Sequence, residues 1–330
     1  MKKIINDANN VEQEMIAGFI KAYPDMLEGI EGELIVKRKV RKEGKVALVS
    51  GGGSGHEPAH GGYVGYGMLD AVVAGNVYTS PSVDAIEKGI QAVDAGKGTL
   101  MIIKNYTGDI INFNMAAEEL EEDEGIQTRK VVVNDDVAVE NSTWTAGRRG
   151  VAGTVFVHKI AGAKAETGAD LDEVAAVAQK VVDNVRTMGM AINPCTVPAA
   201  GIPGFSLGED EMEVGIGIHG EPGVRRCSLA PADEIVDQLL DKILKDLDYS
   251  GSEVAVMVNG CGGTPLMELY IVYNHLADVL AAKGIRIYKP FVGNYMTSLE
   301  MQGFSISLLR LDEELKILLD APADTPAFKA

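Results

Sequence analysis

The chain alternates short apolar runs with longer segments in which apolar residues recur at helical spacing. Seven apolar runs predict strands, at residues 45–50, 99–104, 130–135, 212–218, 253–259, 285–291 and 304–311. Between them, residues 170–188 and 265–283 predict helices. Strands that alternate with helices are typical of a layered α/β protein.

Both predicted helices carry start signals. Asp170 can cap the first helix while Glu173 reaches back to it, which is a capping box. Pro265 suits the first turn of the second helix. In that helix the apolar residues follow the i, i+3, i+4, i+7 spacing of a buried stripe. They are Leu266, Leu269, Tyr270, Tyr273, Leu276, Ala277 and Leu280.

Composition restricts the class of protein. Apolar residues make up 46% of 330 residues, which is enough for two globular domains. A net charge of −18, from 30 basic and 48 acidic residues, argues against binding to nucleic acid or to an anionic membrane surface. Residues 193–205 are rich in proline, glycine and alanine and lack periodicity, and we place a domain boundary near them.

The lengths of the apolar runs and the spacing of the cysteines bear on the cellular compartment of the protein. No apolar run approaches the length of a transmembrane helix, and the N-terminal MKKIINDANN does not resemble a signal peptide. The three cysteines, Cys195, Cys227 and Cys261, are widely spaced and fit a reducing compartment better than a disulfide framework or a zinc site. We therefore expect a cytoplasmic protein.

Three loops that follow predicted strands carry polar residues. They are GGGSGHEPAH (51–60), TSPS (79–82) and KNYTGD (104–109). In open α/β sheets, ligands bind beyond the carboxyl ends of the strands. We therefore expect His56, Ser80, Lys104 and Asp109 to converge. A base, a cation and a carboxylate around a glycine floor suit a small polar substrate.

The glycine-rich loop has competing interpretations. It lacks the lysine of a Walker A loop and does not match GxGxxG, which argues against a nucleotide. HEPAH (56–60) matches the zinc motif HExxH, but flanking glycines and Pro58 disfavour the regular helix that the motif needs. A glycine turn with a surface histidine is the plainer alternative. His60 could support residues that touch a ligand.

A second histidine lies in MEVGIGIHGEPG (212–223). With the period of a strand, Gly215, Gly217 and His219 share one face, opposite Val214, Ile216 and Ile218. Glycines weaken a strand, and a cleared face beside an imidazole lets a ligand approach. The alternative is a structural histidine at a strand end. His158 and His275 lack such surroundings, and we expect both to be structural or surface residues.

Two adjacent arginines stand between glycines in TAGRRG (145–150). They could meet an anion or a partner surface. A solvated pair of charges is an equally good interpretation.

Together, GGGSGHEP, TSPS, KNYTGD, TAGRRG and GIHGEPG, in this order, resemble the K subunit of phosphoenolpyruvate-dependent bacterial dihydroxyacetone kinase. The similarity runs from MKKIIND to the C-terminal DAPADTPA. It implies a homodimeric subunit that binds dihydroxyacetone and holds no cofactor or metal. A separate L subunit would carry ADP with Mg²⁺ and transfer the phosphoryl group. The M subunit, fed by the phosphotransferase system, would recharge that ADP.

The resemblance also implies roles for individual residues. His219 would bond the ketone carbon as a hemiaminal, and His56 and Asp109 would be the acid–base pair. Lys104 and Ser80 would contact the substrate, together with the glycine loop of Gly53, Ser54, Gly55 and His56.

The resemblance extends to fold and leaves alternatives open. We expect an α/β fold with a three-layer α/β/α parallel-sheet domain (1–190), which carries the glycine loop and KNYTGD. A two-layer mixed-sheet α/β domain (191–330) would carry GIHGEPG. A related coactivator also resembles the K subunit, binds dihydroxyacetone and partners a transcription regulator. A relative that acts on a four-carbon ketose is a further alternative, as is the metalloprotease interpretation of HEPAH.

Overall fold

The computed structural model describes residues 2–139 and 146–330, which form two six-stranded sheets with helices packed on both. The helices are α1 (Val11–Ala22), α2 (Val83–Gln91), α3 (Thr107–Glu124), α4 (Thr154–Glu166), α5 (Leu171–Asn184), α6 (Ala232–Asp246), α7 (Leu266–Ala282) and α8 (Glu313–Asp320). The strands of the first sheet are β1 (Leu27–Gly29), β2 (Ile35–Arg38), β3 (Ala47–Ser54), β4 (Ala71–Val77), β5 (Thr99–Lys104) and β6 (Thr128–Val133). Those of the second are β7 (Val185–Asn193), β8 (Glu211–Val214), β9 (Arg225–Ser228), β10 (Glu253–Gly260), β11 (Arg286–Gly293) and β12 (Gln302–Leu311).

The first sheet has the order β1-β2-β4-β3-β5-β6. Strands β4, β3, β5 and β6 are parallel, whereas β2 runs antiparallel to both of its neighbours. Apolar residues of α2 and α3 cover one face, and those of α4 and α5 cover the other. The three-layer expectation is confirmed, but the sheet is not wholly parallel, because β1 and β2 form an antiparallel pair at its edge.

The second sheet is mixed and has the order β11-β10-β12-β7-β8-β9. Helices α6 and α7 pack on one of its faces. The other face, including Ala255, Met257 and Leu309, packs into the same core as α4 and α5. Helix α4 is therefore buried on nearly all sides between the two sheets, which is why its sequence is apolar almost all round.

The predicted domain boundary at residue 190 lies inside β7, and every residue of β7 belongs to the second sheet. The division into two domains stays a prediction. The proline-rich stretch 193–205 connects β7 to β8.

Local sequence signals are confirmed in several elements. The predicted strand 99–104 coincides with β5. Asp170 and Glu173 form the capping box of α5, whereas Pro265 is the N-cap of α7 and lies one position before its first turn. In α7, Leu269, Leu276 and Leu280 of the predicted stripe are buried, but Leu266 and Tyr270 are half-exposed. The three cysteines are free thiols. Within the two described ranges, no helix is both long enough and apolar enough to cross a bilayer.

Candidate functional site

The site lies at the carboxyl ends of β3, β4 and β5. Strand β3 continues through the glycines to Ser54, so this part of the loop is a strand. A Cβ on Gly53 would lie 2.5 Å from the Cα of Tyr78 and the backbone nitrogen of Thr79. The glycine is needed because the segment after β4 crosses directly against it.

We expect Gly53→Ala to destabilise the protein by roughly 1–3 kcal/mol, because its methyl group would push the backbone at Tyr78 and Thr79 away. A matched control is Gly18→Ala in α1, where nothing lies within 4 Å of an added Cβ. That variant should be neutral, or stabilised by up to about 1 kcal/mol through helix propensity. Urea unfolding of both variants measures the effect. If Gly53→Ala had the same free energy of unfolding as Gly18→Ala, the close approach at Gly53 would be contradicted.

A cavity of about 520 Å³ opens above these strand ends. The predicted residues Gly53, Ser80, Asp109 and His219 line it, although His219 comes from the second sheet's side of the fold. Tyr78 and Tyr106, which the sequence analysis did not single out, complete much of the wall. A volume of this size holds a small metabolite rather than a macromolecular segment.

His56 is fully buried beside this cavity. Its Nδ1 lies 2.9 Å from the carbonyl oxygen of Thr297. Since a carbonyl can only accept, Nδ1 carries the proton and Nε2 keeps a lone pair. Among the described residues, Nε2 has no hydrogen-bond partner. Burial, with the nearby His219 and Lys104, holds the pKa of His56 well below its usual range, so the ring is a neutral proton acceptor.

Asp109 lies in the first turn of α3 and is 2% exposed. Burial raises the pKa of its carboxyl, and this is opposed by the charge of Lys104 and by interaction with Ser80. Its Oδ1 has no hydrogen-bond partner within residues 2–139 and 146–330. A buried carboxylate oxygen with an unused lone pair can orient a substrate hydroxyl group.

His219 is half-buried among aromatic rings. Its ring centroid lies 4.3 Å from that of Tyr106, 4.9 Å from that of His56 and 5.3 Å from that of Tyr78. Burial, Lys104 and Arg149 lower the pKa of His219 to about 3. The imidazole is therefore neutral at physiological pH, with a nitrogen lone pair available for addition.

The strand that was predicted to carry His219 is shorter than expected. Strand β8 ends at Val214, and Gly215 adopts φ +78°, so the predicted alternation over residues 215–219 is wrong. A left-handed glycine turns the chain out of the sheet. Gly217 was predicted to leave room for a ligand. Instead it leaves room for Glu221, because a Cβ at this position would collide with the carboxylate of that residue.

Glu221 and Arg149 hold the turn that presents His219. The backbone nitrogen of His219 donates to Glu221 Oε2 at 2.8 Å, and Arg149 Nη1 pairs with Glu221 Oε1 at 3.2 Å. Arg149 also donates to the carbonyl of Gly215 at 2.8 Å and pairs with Asp136 at 2.6 Å. These contacts tie the His219 turn to the loop between β6 and α4.

The interpretation of TAGRRG as a solvated pair of charges is wrong for Arg149, which is 3% exposed and paired with buried carboxylates. Burying an arginine requires such partners. Arg148 lies nearer the surface and bonds Asp246 at 2.8 Å. Thr145 of this motif lies outside the described residues.

Three residues predicted to contact the substrate, Lys104, Ser54 and Gly55, are not among those that line this cavity. Lys104 is fully buried beneath the glycine segment, with Nζ 2.8 Å from His60 Nε2 and 3.3 Å from the carbonyl of Gly51. Ser54 donates its hydroxyl to the carbonyl of Gly75 at 2.8 Å. Ser54 and Gly55 line a neighbouring cavity beneath α1. Their roles in binding stay predictions.

HEPAH does not form a helix. His56 bonds Thr297, whereas His60 bonds Lys104 and His158, so the two rings have different neighbours. His158 and His275, expected to be structural or surface residues, lie respectively in the core against His60 and near the surface, where His275 contacts Asp237.

Two tyrosines of the site escaped the sequence analysis. Tyr78 has φ +60° and bonds Ser298 Oγ at 2.9 Å and Cys195 Sγ at 3.2 Å. Tyr106 is buried, and its hydroxyl oxygen has no partner in the part of the chain that the structure describes. Tyr106 stands inside KNYTGD, directly after a predicted strand end, and that position was the available signal.

Comparison with known proteins places the chain among characterised relatives. Residues 17–327 match the model of the Dak1 domain. The "PTS-dependent dihydroxyacetone kinase 1, dihydroxyacetone-binding subunit DhaK" of Listeria innocua is 51% identical over 99% of this chain and 100% of that protein. The "PEP-dependent dihydroxyacetone kinase, dihydroxyacetone-binding subunit DhaK" of Escherichia coli K12 is 45% identical over 99% of each. Among solved structures, the "Dihydroxyacetone kinase operon co-activator Dha-DhaQ" superimposes with a TM-score of 0.90, at 38% identity over 96% of this chain and 97% of that one.

Proposed function

Because the chain belongs to the Dak1 domain family, we propose that it is the dihydroxyacetone-binding subunit of a phosphotransferase-system-dependent dihydroxyacetone kinase. One observation carries the proposal. Among the described residues, His56 Nε2, Asp109 Oδ1 and the Tyr106 hydroxyl oxygen are buried polar atoms without partners, and all three belong to side chains at the cavity that holds His219. Such atoms are uncommon in folded proteins, and three of them at one cavity can be satisfied by a ligand. A triose with two hydroxyl groups and a carbonyl can satisfy them.

The first chemical step is covalent capture of the ketone. A nitrogen lone pair of His219 adds to the central carbon of dihydroxyacetone, and a C–N bond forms. The carbonyl π pair moves to oxygen, which takes up one proton while the other ring nitrogen of His219 gives up its own, so that a neutral hemiaminal results. A triose offers few contacts, so a covalent bond supplies orientation that hydrogen bonds alone would not. Glycerol lacks the carbonyl and cannot be captured in this way.

The second step moves a phosphoryl group to a substrate hydroxyl. The hydroxyl oxygen bonds phosphorus, the bond from phosphorus to the nucleotide breaks, and the hydroxyl proton passes to His56 Nε2. Asp109 orients the hydroxyl or shares the proton through Oδ1. Both groups have the required lone pairs in the structure.

The phosphoryl donor is proposed to reside on a separate chain. The glycine segment of this chain forms a strand that packs against Tyr78 and Thr79, and it carries no Walker lysine. An L subunit would bring ADP and Mg²⁺, and an M subunit fed by the phosphotransferase system would recharge it. By the same resemblance we expect a cytoplasmic homodimer.

The chain alone should not phosphorylate dihydroxyacetone with free ATP and Mg²⁺, because the donor nucleotide is expected on the partner. The test combines the purified chain with a candidate L subunit and a charged phosphate donor, and follows product formation over a panel of short ketoses and aldoses. The matched reaction omits the L subunit. Equal turnover without the L subunit would contradict the division of labour, and absent turnover with every candidate partner would contradict the proposed function.

Adduct formation should be insensitive to pH between 7 and 5. Only the neutral imidazole adds to a carbonyl, and a histidine whose pKa is lowered to about 3 remains neutral throughout this range. An unperturbed imidazole with a pKa near 6.5 would be mostly protonated at pH 5, and its adduct would weaken by about 30-fold. The measurement is ¹³C NMR of dihydroxyacetone labelled at its central carbon. A decline through pH 6.5 would show that the site does not depress the pKa.

A dihydroxyacetone sensor that binds a transcription regulator is the second candidate. It is favoured by the likeness, at a TM-score of 0.90, to a structure described as an operon co-activator. Both functions require ketone capture by His219, so substrate binding does not separate them. Turnover with an L subunit does, because a sensor has no need of the acid–base pair formed by His56 and Asp109.

A further inference from the structure

A buried file of three side chains, Lys104, His60 and His158, runs from beneath the site into the layer of α4. Their exposed fractions are 0%, 4% and 0%. Lys104 Nζ lies 2.8 Å from His60 Nε2, and His60 Nδ1 lies 2.9 Å from His158 Nε2. Neither histidine touches the cavity, and the reaction steps above use neither of them.

The hydrogen bonds determine which atom carries each proton. The Lys104 ammonium only donates, so His60 Nε2 accepts. The remaining ring proton of neutral His60 is then on Nδ1, which donates to His158 Nε2. Neutral His158 carries its proton on Nδ1, the atom that has no hydrogen-bond partner among the described residues. Both hydrogen bonds therefore run in the same direction, from Lys104 to His60 and from His60 to His158, and His60 Nε2 is the acceptor for Lys104.

The same file reaches the reacting groups through Lys104. An added Cβ on Gly52 would lie 2.5 Å from Lys104 Nζ and 3.4 Å from Asp109 Oδ2. Gly52 thus lies next to both the ammonium and the carboxylate, and a side chain at this position would displace the ammonium. The other contact of Nζ is the carbonyl of Gly51 at 3.3 Å, which is long. His60 is consequently the principal side chain that holds the ammonium in place.

We propose that His60 is a positioning residue for the acid–base pair: it holds the Lys104 ammonium near Asp109, and His158 fixes the tautomer in which it does so. The proposal rests on the proposed function, since it concerns how Asp109 is kept ready to handle the substrate proton. A buried ammonium without an acceptor would rotate toward other carbonyls, and Asp109 would lose the charge that opposes its protonation.

The two conservative substitutions of His60 provide the test. In His60→Gln the side-chain amide oxygen can occupy the place of Nε2 and still accept from Lys104. In His60→Asn the amide reaches only the place of Nδ1, so the contact with His158 is kept and the acceptor for Lys104 is lost. Both variants remove the same ring from the same buried position, and urea unfolding of each measures the extra packing that the shorter asparagine loses.

Steady-state turnover should be measured with the full chain and its phosphoryl-donor subunit. We expect kcat to fall roughly ten- to a hundredfold in His60→Asn, as for a lost hydrogen bond to a charged group. In His60→Gln it should stay within about threefold of the parent, with KM unchanged in both. Equal kcat in the two variants, whether reduced or not, would overturn the proposal. An inactive parent chain would instead refute the proposed function.

A second measurement does not depend on activity. Nitrogen NMR of ¹⁵N-histidine-labelled chain reports the tautomer of each ring. We expect His60 and His158 both to be neutral and protonated on Nδ1. Protonation of His60 on Nε2 would overturn the proposal, because that nitrogen could not then accept from Lys104.

Discussion

Turnover should fall by roughly 10²–10⁴-fold when His56 or Asp109 is replaced by asparagine, the range expected for the loss of one acid–base group. His56→Asn removes the buried Nε2 lone pair that has no other partner within the described residues. Asp109→Asn keeps the size of the side chain and removes its charge beside Lys104. Binding of dihydroxyacetone should survive in part in both variants, because the bond to His219 does not involve either group.

Steady-state kinetics with the donor subunit measure turnover, and ¹³C NMR of the bound ketone measures binding separately. Matched controls are His275→Asn, which changes a half-buried histidine of α7, and Asp84→Asn, which changes an exposed carboxylate in the first turn of α2. Both controls should keep parental kcat. If the His56 and Asp109 variants turned over as fast as the controls, the acid–base assignment would have to be abandoned.

His219→Ala should abolish the covalent adduct and most of the discrimination between dihydroxyacetone and glycerol. Discrimination arises because only the ketone carbon can accept the nitrogen lone pair, whereas the hydroxyl groups of both molecules can meet Asp109 and Tyr106 in the same way. Some turnover can persist, because the anchor orients the substrate and does not move the phosphoryl group. The ring packs against Tyr78, Tyr106 and His56, so we expect a loss of stability of roughly 0.5–3 kcal/mol without unfolding.

A crystal structure of the parent chain soaked with dihydroxyacetone gives the direct observation. Continuous density from the central carbon to a His219 ring nitrogen supports covalent capture. A ligand held only at hydrogen-bond distance, or bonded to another residue, ends the hypothesis. The variant soaked in parallel controls for density from ordered solvent, and its urea unfolding shows whether the fold is retained.

The sequence determined those features that depend on near neighbours in the chain. The capping box of α5 needs only Asp170 and Glu173, three positions apart, and it is confirmed. Strand β5 follows from four consecutive apolar residues (100–103) flanked by Thr99 and Lys104. The approach of Gly53, Ser80 and Asp109 follows from a general rule, because parallel strands end at one edge of the sheet and their loops must meet there.

Contacts between distant segments were decided only by the tertiary structure. The carbonyl that sets the tautomer of His56 belongs to Thr297, 241 positions further along the chain. Whether Arg149 is solvated or buried depends on Asp136 and on Glu221, a residue of the other sheet's side of the fold. No local pattern encodes such pairs, because a charged side chain enters the interior only where the fold supplies its partner.

The course of residues 215–219 shows the limit most directly. Alternating apolar residues and glycines satisfy the period of a strand, but the same glycines also permit a left-handed turn. The turn is selected by Arg149 and Glu221, which bind the Gly215 carbonyl and the His219 nitrogen. His219 therefore reaches the cavity through a turn held by an ion pair between Glu221 of the same motif and the distant Arg149, rather than through the pleat of a strand.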